Sequence, residues 1–338
     1  MPKVFPHIPN ITRINTLYSP IDKIRLHASE RSMPFENEVM DCFSLKIKET
    51  DVRYYPNMNN GYQTLSKIAH IKETYLTMYD GSSTGIRHIF QAFGNGNIVS
   101  AEPSFPMYKV YADILGLNYI SCEYDGFEFP YQSILDNINE DTAIVVLSNP
   151  STPFGYNLDD NYVREIWLKC AKNDCLLLMD EAYIDFSNNQ SYECLARQNN
   201  NLIVLKTLSK GFGSAGIRIG YSISSKSNNE ILRKISNLND ISSIAIKWLE
   251  TVDECFSYFQ NYIQIVKANR DGIMYELCNN GYKFIVSDSN FINVEELKLS
   301  DVFVYKYYEY NGKDIARFSI PTAMNDYSLL LKDIKERK

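Results

Sequence analysis

The sequence predicts an α/β protein, with a mostly parallel sheet flanked by helices in a large domain and a smaller α+β domain formed by the C-terminal part and the N-terminal arm. Three observations carry that expectation. Short uninterrupted apolar runs recur, such as A-I-V-V-L at 143–147 and C-L-L-L-M at 175–179, and a strand covered on both faces needs such a run. Helix-like stretches separate these runs, as in strand-helix-strand crossovers. With 338 residues, 45% hydrophobic and 22% charged, the chain has ordinary globular composition and enough length for one large or two medium domains.

From residue 61 the elements follow in order. The stretch 63–73 reads as a helix, 75–79 as a strand, 85–93 as a helix and 97–101 as a strand. Next come a helix at 107–115, a strand at 143–147, an amphipathic helix at 161–172 and strands at 175–179, 202–205 and 217–224. Beyond residue 228 the texture changes to long helical stretches reaching 279. Short strand candidates at 283–286 and 291–294, a strand at 315–320 and a helix at 326–335 close the chain. The expected division is an N-terminal arm over 1–39, a large domain over 40–235 and a small domain over 236–338. There is no internal repeat and no low-complexity linker.

Composition removes several function classes. A net charge of -7 gives no excess of cations to face nucleic-acid phosphates, so any bound anion must be held locally. No apolar run approaches the ~18 residues of a membrane span, and the first ten residues carry three prolines and no leader-like apolar stretch; a soluble, cytoplasmic protein is expected. Seven cysteines without a C-x-x-C pair suggest buried free thiols rather than a disulfide framework or zinc site. The four histidines, His7, His27, His70 and His88, are spaced unlike metal ligands, so no metal site is expected and a Ser-His-Asp hydrolase is hard to build. Glycine is scarce, 15 residues in 338, yet Gly211, Gly213, Gly216 and Gly220 cluster, and Gly81 and Gly85 frame a second short loop. Such clustering marks backbone that must turn tightly.

Ligands of open α/β sheets bind beyond the carboxyl ends of the strands, which directs attention to the loops there. After three apolar strands stand N-P-S-T-P-F-G from Asn149, D-E-A-Y from Asp180 to Tyr183, and T-L-S-K-G from Thr207 through Ser209 and Lys210. Singly, each reads as a turn or a helix cap. Together they offer an amide, a carboxylate, a phenol, hydroxyls and a lysine at one mouth of the sheet. G-S-S-T-G at 81–85 follows a strand and opens a helix, where free N–H groups and the hydroxyls of Ser82 and Ser83 favour a phosphate. G-F-G-S-A-G at 211–216 matches a dinucleotide fingerprint, but it does not follow a strand directly and precedes the strand-like I-R-I-G-Y-S-I-S, so a Rossmann site is excluded. Pyridoxal phosphate asks for a lysine amine, an acid for its ring nitrogen and an anion cradle; Arg218, eight residues after Lys210, supplies the cation.

The run T-L-S-K-G-F-G-S-A-G-I-R-I-G-Y resembles the S-K-x(5-7)-G-x-R-x-G signature of the class I/II, fold type I, pyridoxal-phosphate aminotransferases. Within that group the chain is most similar to the histidinol-phosphate aminotransferase branch, with motifs in order from Tyr18 to Arg317. The resemblance implies that Lys210 is the Schiff-base lysine, that Thr207, Ser209 and Arg218 bind the cofactor phosphate with Ser82 and Ser83, and that Asp180 pairs with the pyridine nitrogen. Tyr183 and Asn149 would bond the ring's phenolic oxygen. Tyr108, in P-S-F-P-M-Y, would stack on the ring. Tyr55, in R-Y-Y-P, would reach the partner's phosphate site in a homodimer with shared active sites. Arg317, in A-R-F-S-I-P, is similar to the arginine that clamps a substrate carboxylate, a task suited to a guanidinium fork.

The chain departs from the family at N-x-N-E-N-P, which appears as His27-Ala28-Ser29-Glu30-Arg31-Ser32, and at an acidic pair replaced by Ser83-Thr84. The stretch between Glu295 and Arg317 is also short. The resemblance implies an aminotransferase acting on a small amino compound and an oxo acid. Tyr18, Arg25 and Arg31 are candidates for a phosphate on that substrate, solvated surface being the plainer reading of them. A decarboxylase of a phospho-amino acid on the same scaffold is the alternative, and a non-catalytic regulator is a third reading.

Overall fold

A computed structural model describes residues 4–12 and 22–337. The strands described are, in chain order, β1 (Ile24–Arg25), β2 (Leu76–Asp80), β3 (Asn97–Glu102), β4 (Tyr119–Glu123), β5 (Thr142–Ser148), β6 (Leu176–Asp180), β7 (Leu202–Thr207), β8 (Ile219–Ile223), β9 (Phe284–Ile285), β10 (Phe291–Glu295), β11 (Phe303–Val304), β12 (Lys306–Tyr310) and β13 (Lys313–Ser319). Seven of them form one sheet in the order β2-β8-β7-β6-β5-β3-β4. Neighbours from β4 to β7 run parallel, and β8 runs against both β7 and β2. The mostly parallel sheet anticipated above is therefore present, with one strand reversed.

The uninterrupted apolar runs follow from coverage on both faces. Val145, Leu147, Leu177, Met179 and Val204 point into one core. Their neighbours Ile144, Val146, Leu178, Ile203 and Leu205 point into another. Because successive strand residues alternate between faces and both faces are covered, no residue of β5 to β7 is fully exposed. The second core includes Ile86, Ile89 and Phe90 of helix Gly81–Phe93. The first includes helices Met58–Ala69 and Ser243–Glu254, so the packing around the large sheet reaches past residue 235. Asn57 starts helix Met58–Ala69 by accepting from Asn60 N–H, and His70 ends it in the left-handed region.

A second, antiparallel sheet has the order β12-β13-β10-β9. Helices Phe256–Asn279 and Met324–Glu336 cover it, with Tyr262, Val266, Ile273, Leu330 and Ile334 packed against Ile292, Val294 and Phe318. Leu26, beside β1, is buried in this same core, and β1 pairs with β11. The N-terminal segment thus packs on the C-terminal sheet.

Several elements have no counterpart in the sequence reading, and three of them show why. Helix Asn37–Lys48 buries only Val39, so its apolar stripe is thin. Strand β4 is a sheet edge of half-exposed residues, and β12 reads K-Y-Y-E-Y with no buried face. All seven cysteines are free, but Cys194 and Cys278 are exposed, which corrects the expectation that the thiols are buried.

Candidate active site

The carboxyl edge of the large sheet gathers the predicted loops. Ser148 pairs with Asp180 in β5 and β6, and Asp180 with Leu205 of β7, so Asn149, Asp180 and the loop after Thr207 leave the sheet side by side. Reversal of β8 brings its beginning to this edge: Thr207 pairs with Gly220, and Gly220 also pairs with Tyr79 of β2. A Cβ at Gly220 would collide with Ser82 N and lie 2.6 Å from the Gly81 carbonyl carbon. Gly81 has φ 76°, and a Cβ there would collide with Arg218 Nη2. The Arg218 guanidinium therefore lies against the first turn of helix Gly81–Phe93, whose opening N–H groups lack intrahelical partners. Ser82 and Ser83 are half-buried in that turn. Thr207 Oγ1 lies 3.0 Å from Ser209 Oγ and accepts Ser209 N–H at 3.1 Å. Helix dipole, guanidinium and hydroxyls make one anion cradle.

Beside the cradle, Asp180 is 5% exposed. Its Oδ2 accepts from the Tyr108 phenol at 2.7 Å and its Oδ1 from Ala182 N–H at 3.1 Å. Burial pushes its carboxyl up to about 6, against those two hydrogen bonds. Asn149 is fully buried; its Oδ1 accepts Leu158 N–H at 2.9 Å, and its Nδ2 has no partner. Lys210 Nζ donates to the carbonyls of Ala28 at 2.9 Å and Ser29 at 3.2 Å, and lies 5.7 Å from the centre of the Tyr183 ring. Burial alone would raise the Tyr183 phenol, but Lys210, Arg317, the Ser29 side chain and Lys306 outweigh it and hold the phenol below its ordinary value.

The second sheet supplies the other wall. Arg317, on β13, is 5% exposed, stacks over the Phe291 ring at 3.7 Å and donates to Ser29 Oγ at 3.2 Å. Its Nε has no partner. Burial lowers its guanidinium, and Tyr183 and Tyr308 oppose that shift. Opposite it in the register is Lys306 of β12, a cation that sequence reasoning missed. Partial burial, then the charge of Arg317, lowers the Lys306 ammonium; Tyr183 raises it and Lys210 lowers it further. Only the pairing register brings Lys306 here, because its own strand has no apolar signal.

The remaining candidates are placed differently. Arg31 gives its Nη2 to Glu36 at 3.0 Å and its Nε to the Met33 carbonyl at 3.1 Å, between the rings of Phe35 and Tyr262; these bonds tie it to the arm, and its Nη1 is buried with no partner. Arg25 pairs with Glu30 on the surface. Tyr55 is 86% exposed in its own chain. Tyr18 lies outside the described residues.

An amine, a buried carboxylate, an unpaired amide donor and an anion cradle on a parallel sheet's carboxyl edge form a donor set for a phosphorylated ligand with a reactive carbonyl. A model of aminotransferase class I and II matches residues 50–323, and the chain belongs to that family. It is 27% identical over 292 residues to the histidinol-phosphate aminotransferase of Clostridium beijerinckii, covering 84% of this chain and 79% of that one. It is also 27% identical over 303 residues to that of Francisella philomiragia subsp. philomiragia, covering 85% and 83%. The solved Sinorhizobium meliloti histidinol-phosphate aminotransferase, in complex with pyridoxal-5'-phosphate, superposes with a TM-score of 0.86 at 18% identity, covering 99% of this chain and 97% of that one. Among the described residues no helix is long and apolar enough to cross a membrane.

Proposed function

We propose that this chain is a pyridoxal 5'-phosphate-dependent aminotransferase, acting as a cytoplasmic homodimer, that moves an amino group between a small amino compound and an oxo acid. The observation that carries the reading is the convergence of Lys210, Asp180, Asn149 and Arg218 on one sheet edge. The residues fit the cofactor. The buried, unpartnered Nδ2 of Asn149 suits a ring oxygen, and the Arg218 guanidinium packed against Gly81 at the helix opening suits a phosphate. Lys210, Asp180, Tyr183, Asn149 and Tyr108 would hold the ring. Thr207, Ser209, Arg218, Ser82 and Ser83 would hold its phosphate.

When bound, pyridoxal phosphate supplies an electron sink for the charge left on the substrate's α-carbon. Asp180, ionised, would keep a proton on the ring nitrogen. Lys210 Nζ would take the proton from the α-carbon and return it one position away, as a general base and then acid. Arg317 would fix the anionic group of the substrate, and the bond its grip holds perpendicular to the ring is the one that breaks. The relatives' name makes histidinol phosphate the first donor to try, and the cations Arg317 and Lys306 suit a phosphorylated substrate. The 86% exposure of Tyr55 supports a role in the partner's site.

The test loads the protein with pyridoxal phosphate, adds histidinol phosphate and then other amino donors, and follows the cofactor's visible absorbance with the products. Formation of the pyridoxamine form with release of an oxo compound supports transamination. Release of carbon dioxide without an oxo product would replace it with the decarboxylase.

A further inference from the structure

Residues 27–32 are where the chain leaves its family's pattern, and one of them joins the groups assembled above. Ser29 is 1% exposed and has φ 53°, in the left-handed region, which is strained for a residue with a Cβ. Such a conformation persists only where its surroundings hold it. Four partners do so. The Ser29 carbonyl accepts from Lys210 Nζ at 3.2 Å and from Asn290 Nδ2 at 3.2 Å, its Oγ accepts from Arg317 Nη2 at 3.2 Å, and its N–H donates to Ser319 Oγ at 2.9 Å. A hydroxyl that accepts one bond still has a proton to give, and the ionised form of the Tyr183 phenol is the form that the Ser29 side chain favours.

We propose that Ser29 is a positioning residue, setting Lys210, Tyr183 and Arg317 in their mutual places through its carbonyl and its hydroxyl. The work of those three residues rests on the aminotransferase reading; their placement by Ser29 does not. Its carbonyl reaches the large sheet's lysine while its hydroxyl and N–H reach Arg317 and Ser319 on β13. One buried residue therefore fixes the two walls of the site against each other.

The experiment reads Tyr183 directly in the cofactor-free protein. Tyrosinate absorbance is titrated in wild type and in Tyr183→Phe, and the difference is the titration of Tyr183. The groups facing that phenol are Lys210, Arg317, Lys306 and Tyr108, and none of them is itself altered in Ser29→Ala or Ser29→Gly. Both variants lose the hydroxyl; Gly also relieves the left-handed backbone, so it folds even if Ala does not. The expected result is a Tyr183 midpoint raised by about one pH unit in both, the size of one lost hydrogen bond to a charged group, with Gly melting no lower than Ala. A Tyr183 midpoint in Ser29→Gly equal to that of wild type would overturn the proposal. If wild type took up no pyridoxal phosphate, the aminotransferase reading would fall while this titration kept its meaning.

Discussion

The phenol of Tyr108 donates to Oδ2 of Asp180 at 2.7 Å, with both groups buried. That bond and the Ala182 N–H are the hydrogen bonds that stabilise the Asp180 anion, and burial outweighs them, bringing the carboxyl to about 6.

The first prediction follows from the sign of that shift. Between the ordinary value of 3.8 and about 6, the folded protein holds a proton that the unfolded chain has released. Stability from this group is therefore full at low pH and lost as pH rises through about 6. In Asp180→Asn that dependence disappears, so the variant gains on wild type by about 2–3 kcal/mol as the medium goes from acid to neutral. Glu181, raised to about 7 by burial against Lys206, titrates in an overlapping range, so the informative quantity is the difference between the two proteins' urea midpoints. A constant difference across that range would contradict the prediction.

Gly220→Ala places a methyl group against the backbone of Gly81 and Ser82, which cannot rotate away. The expected cost is about 1–3 kcal/mol of stability, together with weaker uptake of pyridoxal phosphate, because the cradle moves. Calorimetry gives the first and equilibrium dialysis the second. Unchanged values for both would show that β8 and the helix opening adapt freely.

Lys210→Ala should still fold, since it deletes a half-buried side chain and two bonds to the arm. It should lose the visible absorbance of covalently held pyridoxal phosphate, with activity falling by roughly a thousandfold or more. Survival of that absorbance would reassign the attachment residue.

Tyr55→Phe should weaken pyridoxal phosphate binding although the residue is 86% exposed in its own chain. Mixing it with Lys210→Ala after dissociation should restore about a quarter of the sites, because half of randomly paired dimers carry one intact site. No recovery in a mixture shown to have exchanged subunits would confine Tyr55 to its own chain.

The sequence displays what depends on runs of neighbouring residues. Apolar segments reveal β5, β6 and β7, and their polar ends reveal Asn149, Asp180 and Thr207. Lys210 and Arg218 are legible because one short loop holds both. Strands β4 and β12 were illegible because a strand at a sheet edge, or with no buried face, carries no alternation. Lys306 becomes part of the site through its register opposite Arg317, and Ser29 through a left-handed backbone. Neither a register nor a φ is written in residue type. Arg31 shows the converse, since a basic residue in a promising motif is held by the nearby Glu36.

The reversed strand β8 has a consequence for how this chemistry tolerates change. Because β7 and β8 are antiparallel, with Thr207 opposite Gly220, residues 208–219 form a closed loop whose two ends stay together whatever its length. The attachment lysine and the phosphate arginine thus form a cassette anchored at its base, and an extra residue or two between Gly211 and Gly216 would enlarge the loop at little entropic cost without parting them. A residue added between Arg218 and Gly220 would instead move the guanidinium off the Gly81 turn against which it lies. The variable interval in the S-K-x(5-7)-G-x-R-x-G pattern and the fixed interval that follows it are the two sides of that anchoring.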